Sequence, residues 1–136
     1  MARKLFSQIL TEVQEAHEDD KSLVLQQNDN PMVRQLLLAT FDPAVKFDVV
    51  VPEYRENTET DGYSSNSLYV EYRRLYIFME AYKKIAPGRK STLLAQILES
   101  IDVSDAPCLI EVINKDLSKY GLTKEIVNEA FPGLIK

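Results

Sequence analysis

Apolar residues recur at steps of three and four along almost the whole chain, and this period is the strongest constraint on what the sequence can fold into. It places one face of a helix, not of a strand, against a core. Leu5, Phe6, Ile9, Leu10 and Val13 predict a first helix over about 3–16. Glu15, Glu18, Asp19 and Asp20 form an acidic cluster at the turn to a second helix, which carries Leu23, Val24 and Leu25 and stops near Asn28-Asp29. Asn30-Pro31 reads as a helix cap followed by proline in the first helical position, where its missing N–H costs nothing. The helix it starts turns Val33, Leu36, Leu37 and Phe41 inward, and Asp42-Pro43 repeats the start signal for a short helix or turn.

Residues 47–51 favour strand by propensity. With no partner strand in the pattern, they read as extended chain laid on helices. Residues 52–66 are polar, carry four acids, and form the longest loop. Leu68, Tyr72, Leu75, Met79 and Tyr82 follow a 4-3-4-3 spacing that predicts the longest and most central helix over Ser67 to Ile85, with Tyr76 and Phe78 widening its inward face. Pro87-Gly88 breaks the chain. Leu93, Leu94, Ile97, Leu98 and Ile101 mark a further helix, and Ser104 can cap another that buries Leu109, Ile110, Ile113 and Leu117. Gly121 suits the left-handed residue that ends a helix, and Thr123 caps a last helix to about Ala130, stapled by Leu122 and Val127 and stopped by Pro132-Gly133. The expectation is a single all-α domain over 1–136, with about six to eight helices.

Composition narrows the functional classes. One cysteine (Cys108) and one histidine (His17) leave no disulfide framework and no Cys/His zinc cluster, so no metal is expected. Cys108 in an Ala-Pro-Cys-Leu setting reads as core, and His17, among acids, as an exposed helix end. Four glycines are too few for a phosphate-cradling loop: Gly88-Arg89-Lys90-Ser91 has the closing Lys-Ser of such a loop without the upstream glycine or strand. No apolar run reaches the roughly 20 residues of a membrane span, and nothing after Arg3-Lys4 resembles a secretory signal. No cofactor is expected.

The formal charge is −5, from 16 Lys and Arg against 21 Asp and Glu. As a bulk property this argues against nucleic acid. The charge is segregated, however. Between residues 73 and 90 lie Arg73, Arg74, Lys83, Lys84, Arg89 and Lys90, opposed only by Glu80. Lys115, Lys119 and Lys124 bracket the turn at Gly121, where the backbone N–H groups opening the last helix could hold a phosphate. Glu125 in that first turn favours a plain capped corner instead. Asp116 falls on the buried face by helical count and reads as a structural clamp on the corner.

At this corner the sequence resembles a known family. Asp116-Leu117, Gly121, Thr123, Asn128 and Phe131-Pro132-Gly133-Leu134-Ile135 resemble the segment that closes the N-terminal DNA-binding domain of ATP-dependent DNA ligases of the T-even phage kind. The likeness extends through Phe6 to Glu12, Lys21 to Leu38 and the central helix. It implies an all-α domain that contacts the sugar–phosphate backbone of duplex or nicked DNA from the minor-groove side, without reading sequence. By that resemblance Gly88, Arg89, Lys90, Lys115, Lys119, Gly121, Thr123 and Lys124 are DNA contacts, with Arg73, Arg74, Lys83 and Lys84 as an additional basic face. Asp116, Asn128, Pro132 and Gly133 are structural. Lys115 stands where the family often has arginine, and Tyr120 where a smaller residue is usual. The adenylation motif Lys-x-Asp-Gly is missing; Lys46-Phe47-Asp48-Val49 lacks its glycine. The expectation is therefore a non-enzymatic, phage-encoded accessory of DNA replication or repair in the cytoplasm of an infected bacterium. The alternatives are a factor that kept the fold and binds a replication, repair or transcription protein instead, and an excised ligase domain.

Overall fold

The computed structural model describes residues 4–58 and 66–135. Among them are seven α-helices: α1 (Phe6–Glu15), α2 (Lys21–Gln27), α3 (Pro31–Phe41), α4 (Leu68–Glu71), α5 (Pro87–Ser100), α6 (Asp105–Ile113) and α7 (Lys124–Ala130). Three 3₁₀ turns cover Glu18–Asp20, Tyr72–Phe78 and Ser118–Tyr120. The all-α expectation holds. Buried side chains form one continuous core from Phe6 to Ile135, and no described helix is long and apolar enough to cross a membrane.

Local capping chemistry sets several boundaries. The Asn30 side chain accepts the Val33 N–H at 2.9 Å with Pro31 in the first turn. Thr123 accepts the Ile126 N–H at 3.2 Å. Gly121 adopts φ +76°, as the end of a helical turn requires. The acidic cluster does lie at the α1–α2 turn, with Glu18, Asp19 and Asp20 exposed. Lys21 then folds back under α1, and its ammonium donates to the Val13, Gln14 and Ala16 carbonyls at the C-terminal end of the helix, where carbonyls lack a full set of helical donors.

Three expectations are corrected. The central helix is α3, which buries Met32, Val33, Leu36, Leu37, Ala39 and Thr40 around most of its circumference. The expected helix over 67–85 is instead the single turn α4 followed by 3₁₀ chain that stops at Phe78. Its carbonyls are claimed by other groups: Asp48 N–H donates to Phe78 O at 2.8 Å, and the Lys90 ammonium donates to Met79 O at 2.9 Å. Glu80 N–H in turn donates to Lys46 O at 2.8 Å, completing an isolated antiparallel bridge between Phe47 and Met79. The extended segment thus has a partner that the sequence pattern concealed, and tertiary pairing displaces the helix. The tighter period of three puts Tyr72, Leu75 and Phe78 inward and leaves Arg73 and Tyr76 outward.

The remaining corrections concern the ends of α5 and α6. Pro87 does not break the chain; it is the first residue of α5. Ser104 occupies the cap position of α6 as expected, but its hydroxyl makes no cap bond and donates to Asp102 at 2.7 Å instead. The described part of the 52–66 loop is tied to the end of α5, where Asn57 donates to the Ser100 and Ile101 carbonyls.

Candidate nucleic-acid interface

The structure sorts the expected DNA contacts into inward and outward groups. Lys90 is a correction: it is only 2% exposed, and its ammonium is engaged by Met79 O. Lys115 is another. Its ammonium donates to the carbonyls of Ala39, Asp42 and Val45 at 2.7–2.8 Å, closing the C-terminal end of α3, and burial lowers its pKa. Both lysines are spent on the fold, because a long side chain can carry its charge to carbonyls far away in sequence.

At the Gly121 corner the local geometry is as expected, yet the surroundings are structural. Lys119 pairs with Glu111 at 3.4 Å and lies over the Tyr120 ring. The space a side chain would need at Gly121 is occupied by Lys21, whose Cε would stand 2.9 Å from an added Cβ. Thr123 and Lys124 are exposed, but α7 is seven residues long, with Glu125 already complementing its first turn. Asp116 is a further correction. It is exposed, not buried, and clamps the corner by accepting the Ser118 N–H at 3.0 Å and hydroxyl at 2.6 Å, bonds that hold its carboxyl below the usual range. Asn128 ties the chain end down: its amide N–H donates to Ile135 O and its carbonyl accepts Ile135 N–H, drawing the Pro132-Gly133 turn, where Gly133 has φ +80°, back onto α7.

Cys108 is buried, bonded to Ser104 O and facing the Tyr120 hydroxyl, and burial pushes its thiol up to about 11. A thiol held protonated in this way is a poor nucleophile. His17 is an exposed helix end.

Of the outward cations, Lys83, Lys84 and Arg89 flank the start of α5 in the chain, whereas Arg73 lines a groove with Asn30, Pro31 and Tyr69. Arg73, Lys83, Lys84 and Arg89 are exposed, and among the described residues none of them forms an ion pair. Arg74 differs, pairing with the buried Glu71 at 3.4 Å. Lys46 joins the group across the Phe47–Met79 bridge: with Lys83, Met79 and Glu80 it lines an open groove of about 440 Å³.

The helix start itself is bare. Ala86 occupies the capping position with extended backbone and no side-chain bond, Pro87 has no N–H, and the first turn contains no acid. Gly88 and Arg89 N–H groups have no acceptor among the described residues, and nothing lies within 4 Å of where a Gly88 Cβ would be. A 14-residue helix with open amides and flanking cations concentrates positive potential at one point.

Residues 9–119 match the sequence profile of a family of unknown function, DUF6433. The chain belongs to this family. Comparison with curated proteins gives no match. The DUF6433 match takes in α2 to α6, and with them the α5 start and its cations, and stops before Gly121 and α7. Two residues of this candidate site were not singled out by the sequence pattern. Lys46 lies distant in sequence, and only the bridge to Met79 brings it near. Ala86 signals by the absence of a capping side chain, which was legible. Tyr76, expected to widen an inward face, is instead turned outward by the 3₁₀ chain and is not one of these residues.

Proposed function

We propose that this protein is a non-catalytic DNA-binding protein that holds the sugar–phosphate backbone without sequence preference, as an accessory of phage DNA replication or repair. The observation that carries this reading is the uncapped start of α5 set among Lys46, Lys83, Lys84 and Arg89, cations without carboxylate partners among the described residues. Open amides and unpaired cations are what a phosphate recruits. The resemblance to the ligase domain supports the same reading at the turn around Gly88. The site moves from the Gly121 corner to α5, since Lys115 and Lys119 are otherwise engaged.

A module of this kind binds with a Kd on the order of 10⁻⁴–10⁻⁶ M at physiological salt. Anisotropy titration against duplex and nicked DNA tests it. About four phosphate contacts give a slope of log K on log salt near −3.6. The double variant Lys83→Glu/Lys84→Glu should roughly halve that slope. Absence of binding at low salt, or binding indifferent to salt, rejects the proposal.

A second reading rests on the opposite surface chemistry. Glu15, Glu18, Asp19 and Asp20 are exposed and, apart from His17 beside Asp19, have no cationic partner among the described residues. That cluster suits a basic protein partner of the replication, repair or transcription machinery. Capture from nuclease-treated infected extract, lost on reversing these four charges, is its signature.

A further inference from the structure

The outward face of the Tyr72–Phe78 segment carries chemistry that a duplex backbone does not use. Tyr76 is 50% exposed, one of only four large apolar side chains that stand out so far among the described residues. It is not loose. The Tyr82 ring meets it edge-on, with centroids 5.3 Å apart and planes at 75°. In 3₁₀ chain, residues three apart lie one above the other, so Arg73 and Tyr76 form one outward stripe about 6 Å apart along the axis. Arg73 is oriented by its own neighbour: its guanidinium lies 5.6 Å from the Tyr72 ring centre and donates to the Tyr72 hydroxyl. Immediately beyond Tyr82 come Lys83 and Lys84.

From this juxtaposition we infer that Tyr76 is a stacking platform for an unpaired base, and that the strand this protein prefers is single-stranded DNA, including the frayed strand at a nick or end. An exposed aromatic ring braced by a second ring, with cations before and after it, matches the two requirements of single-strand binding: a surface for the base and charge for the phosphates. Bases within an intact duplex are stacked on one another and present no free face to Tyr76. The inference rests on the DNA-binding reading above and names the form of DNA.

Anisotropy titration of the whole protein with a labelled single strand and with the blunt duplex of the same sequence tests it. Tighter binding to the single strand is expected. Tyr76→Ala should weaken single-strand binding by about tenfold and leave duplex binding and the salt slope unchanged. Tyr76→Phe, which keeps the ring, should restore it. Tyr76 being half exposed, the alanine variant should retain the wild-type melting curve, and the phenylalanine variant controls for any loss of fold. Equal binding of both DNA forms with no effect of Tyr76→Ala overturns the stacking inference and leaves backbone binding standing. No binding to either form overturns the DNA reading itself.

Discussion

Lys115 sits at φ +57°, the left-handed region where glycine is usual, because α6 ends in a tight motif. Lys115 N–H donates to Val112 O and Asp116 N–H to Glu111 O, both at 2.9 Å, the bond pair of a Schellman ending with lysine in the glycine position. The backbone cost of about 1 kcal/mol is offset by the ammonium's three bonds to the end of α3. Lys115→Met keeps the strain and removes all three bonds, leaving Asp42 O only the Val45 N–H, so a loss of about 2 kcal/mol in urea unfolding is expected. Lys115→Gly relieves the strain and should lose about 1 kcal/mol less. Equal stability of wild type and Lys115→Met would show the three bonds to be idle.

Asp105 gives a pH-dependent counterpart. It is buried, accepts Ser7 N–H at 2.9 Å, and has the buried Asp102 nearby; burial, more than that neighbour, raises its carboxyl above the ordinary 3.8. The folded state then holds the proton more tightly than the unfolded chain. Its contribution to stability is complete below about pH 3.8 and is lost as pH rises through the folded pKa. Asp105→Asn retains an acceptor for Ser7 and has no such loss. Melting temperatures of wild type and variant should therefore converge near pH 3.5 and separate in the variant's favour toward pH 7. A gap constant with pH would exclude this linkage. Neither residue was legible in the sequence, since the carbonyls that hold Lys115 lie 70 or more positions away.

At the scale of elements, the α5 start has two opposed demands on it. A bare helix N-terminus is less stable than a capped one, and it is also the anion site of the proposed function. Ala86→Asp places an acceptor at the capping position, whose φ −66° and ψ 149° already suit it. The variant should gain about 1 kcal/mol in thermal or urea unfolding and bind DNA several-fold more weakly. A gain in stability with unchanged affinity would move the DNA site away from α5. Helix starts of this sort are readable from sequence because caps are local: Asn30-Pro31 and Thr123 were read correctly, as was the Gly121 stop. The 67–85 segment was misread for the converse reason. Its 4-3-4-3 apolar spacing is genuine, but the bridge to Phe47 and the Lys90 ammonium take the carbonyls that an α-helix would need, and no local pattern reports a competitor so distant.

Over the whole molecule, the two ends of the chain complete each other. Ser7 on α1 bonds Asp105 at the start of α6 and Ser104 just before it, while α7 lies against α2, with Gln26 donating to Ala130 O. Val127, Ala130, Phe131 and Ile135 are buried, and the Arg34 guanidinium lies 4.7 Å from the Phe131 ring centre. The family profile stops at residue 119, so it does not by itself say whether the last helix belongs to the same folding unit. The packing says that it does. Large apolar side chains contribute about 1.5–3 kcal/mol each when buried, so losing Val127, Phe131 and Ile135 removes much of the 5–15 kcal/mol typical of a domain. It would also bare the face of α2 that carries Leu25. A chain ending at Leu122 should therefore show reduced helicity by circular dichroism and no cooperative urea transition. A truncated protein that unfolds in one sharp step with the helicity of residues 4–122 intact would make α7 an appendage, and the core would then close without it.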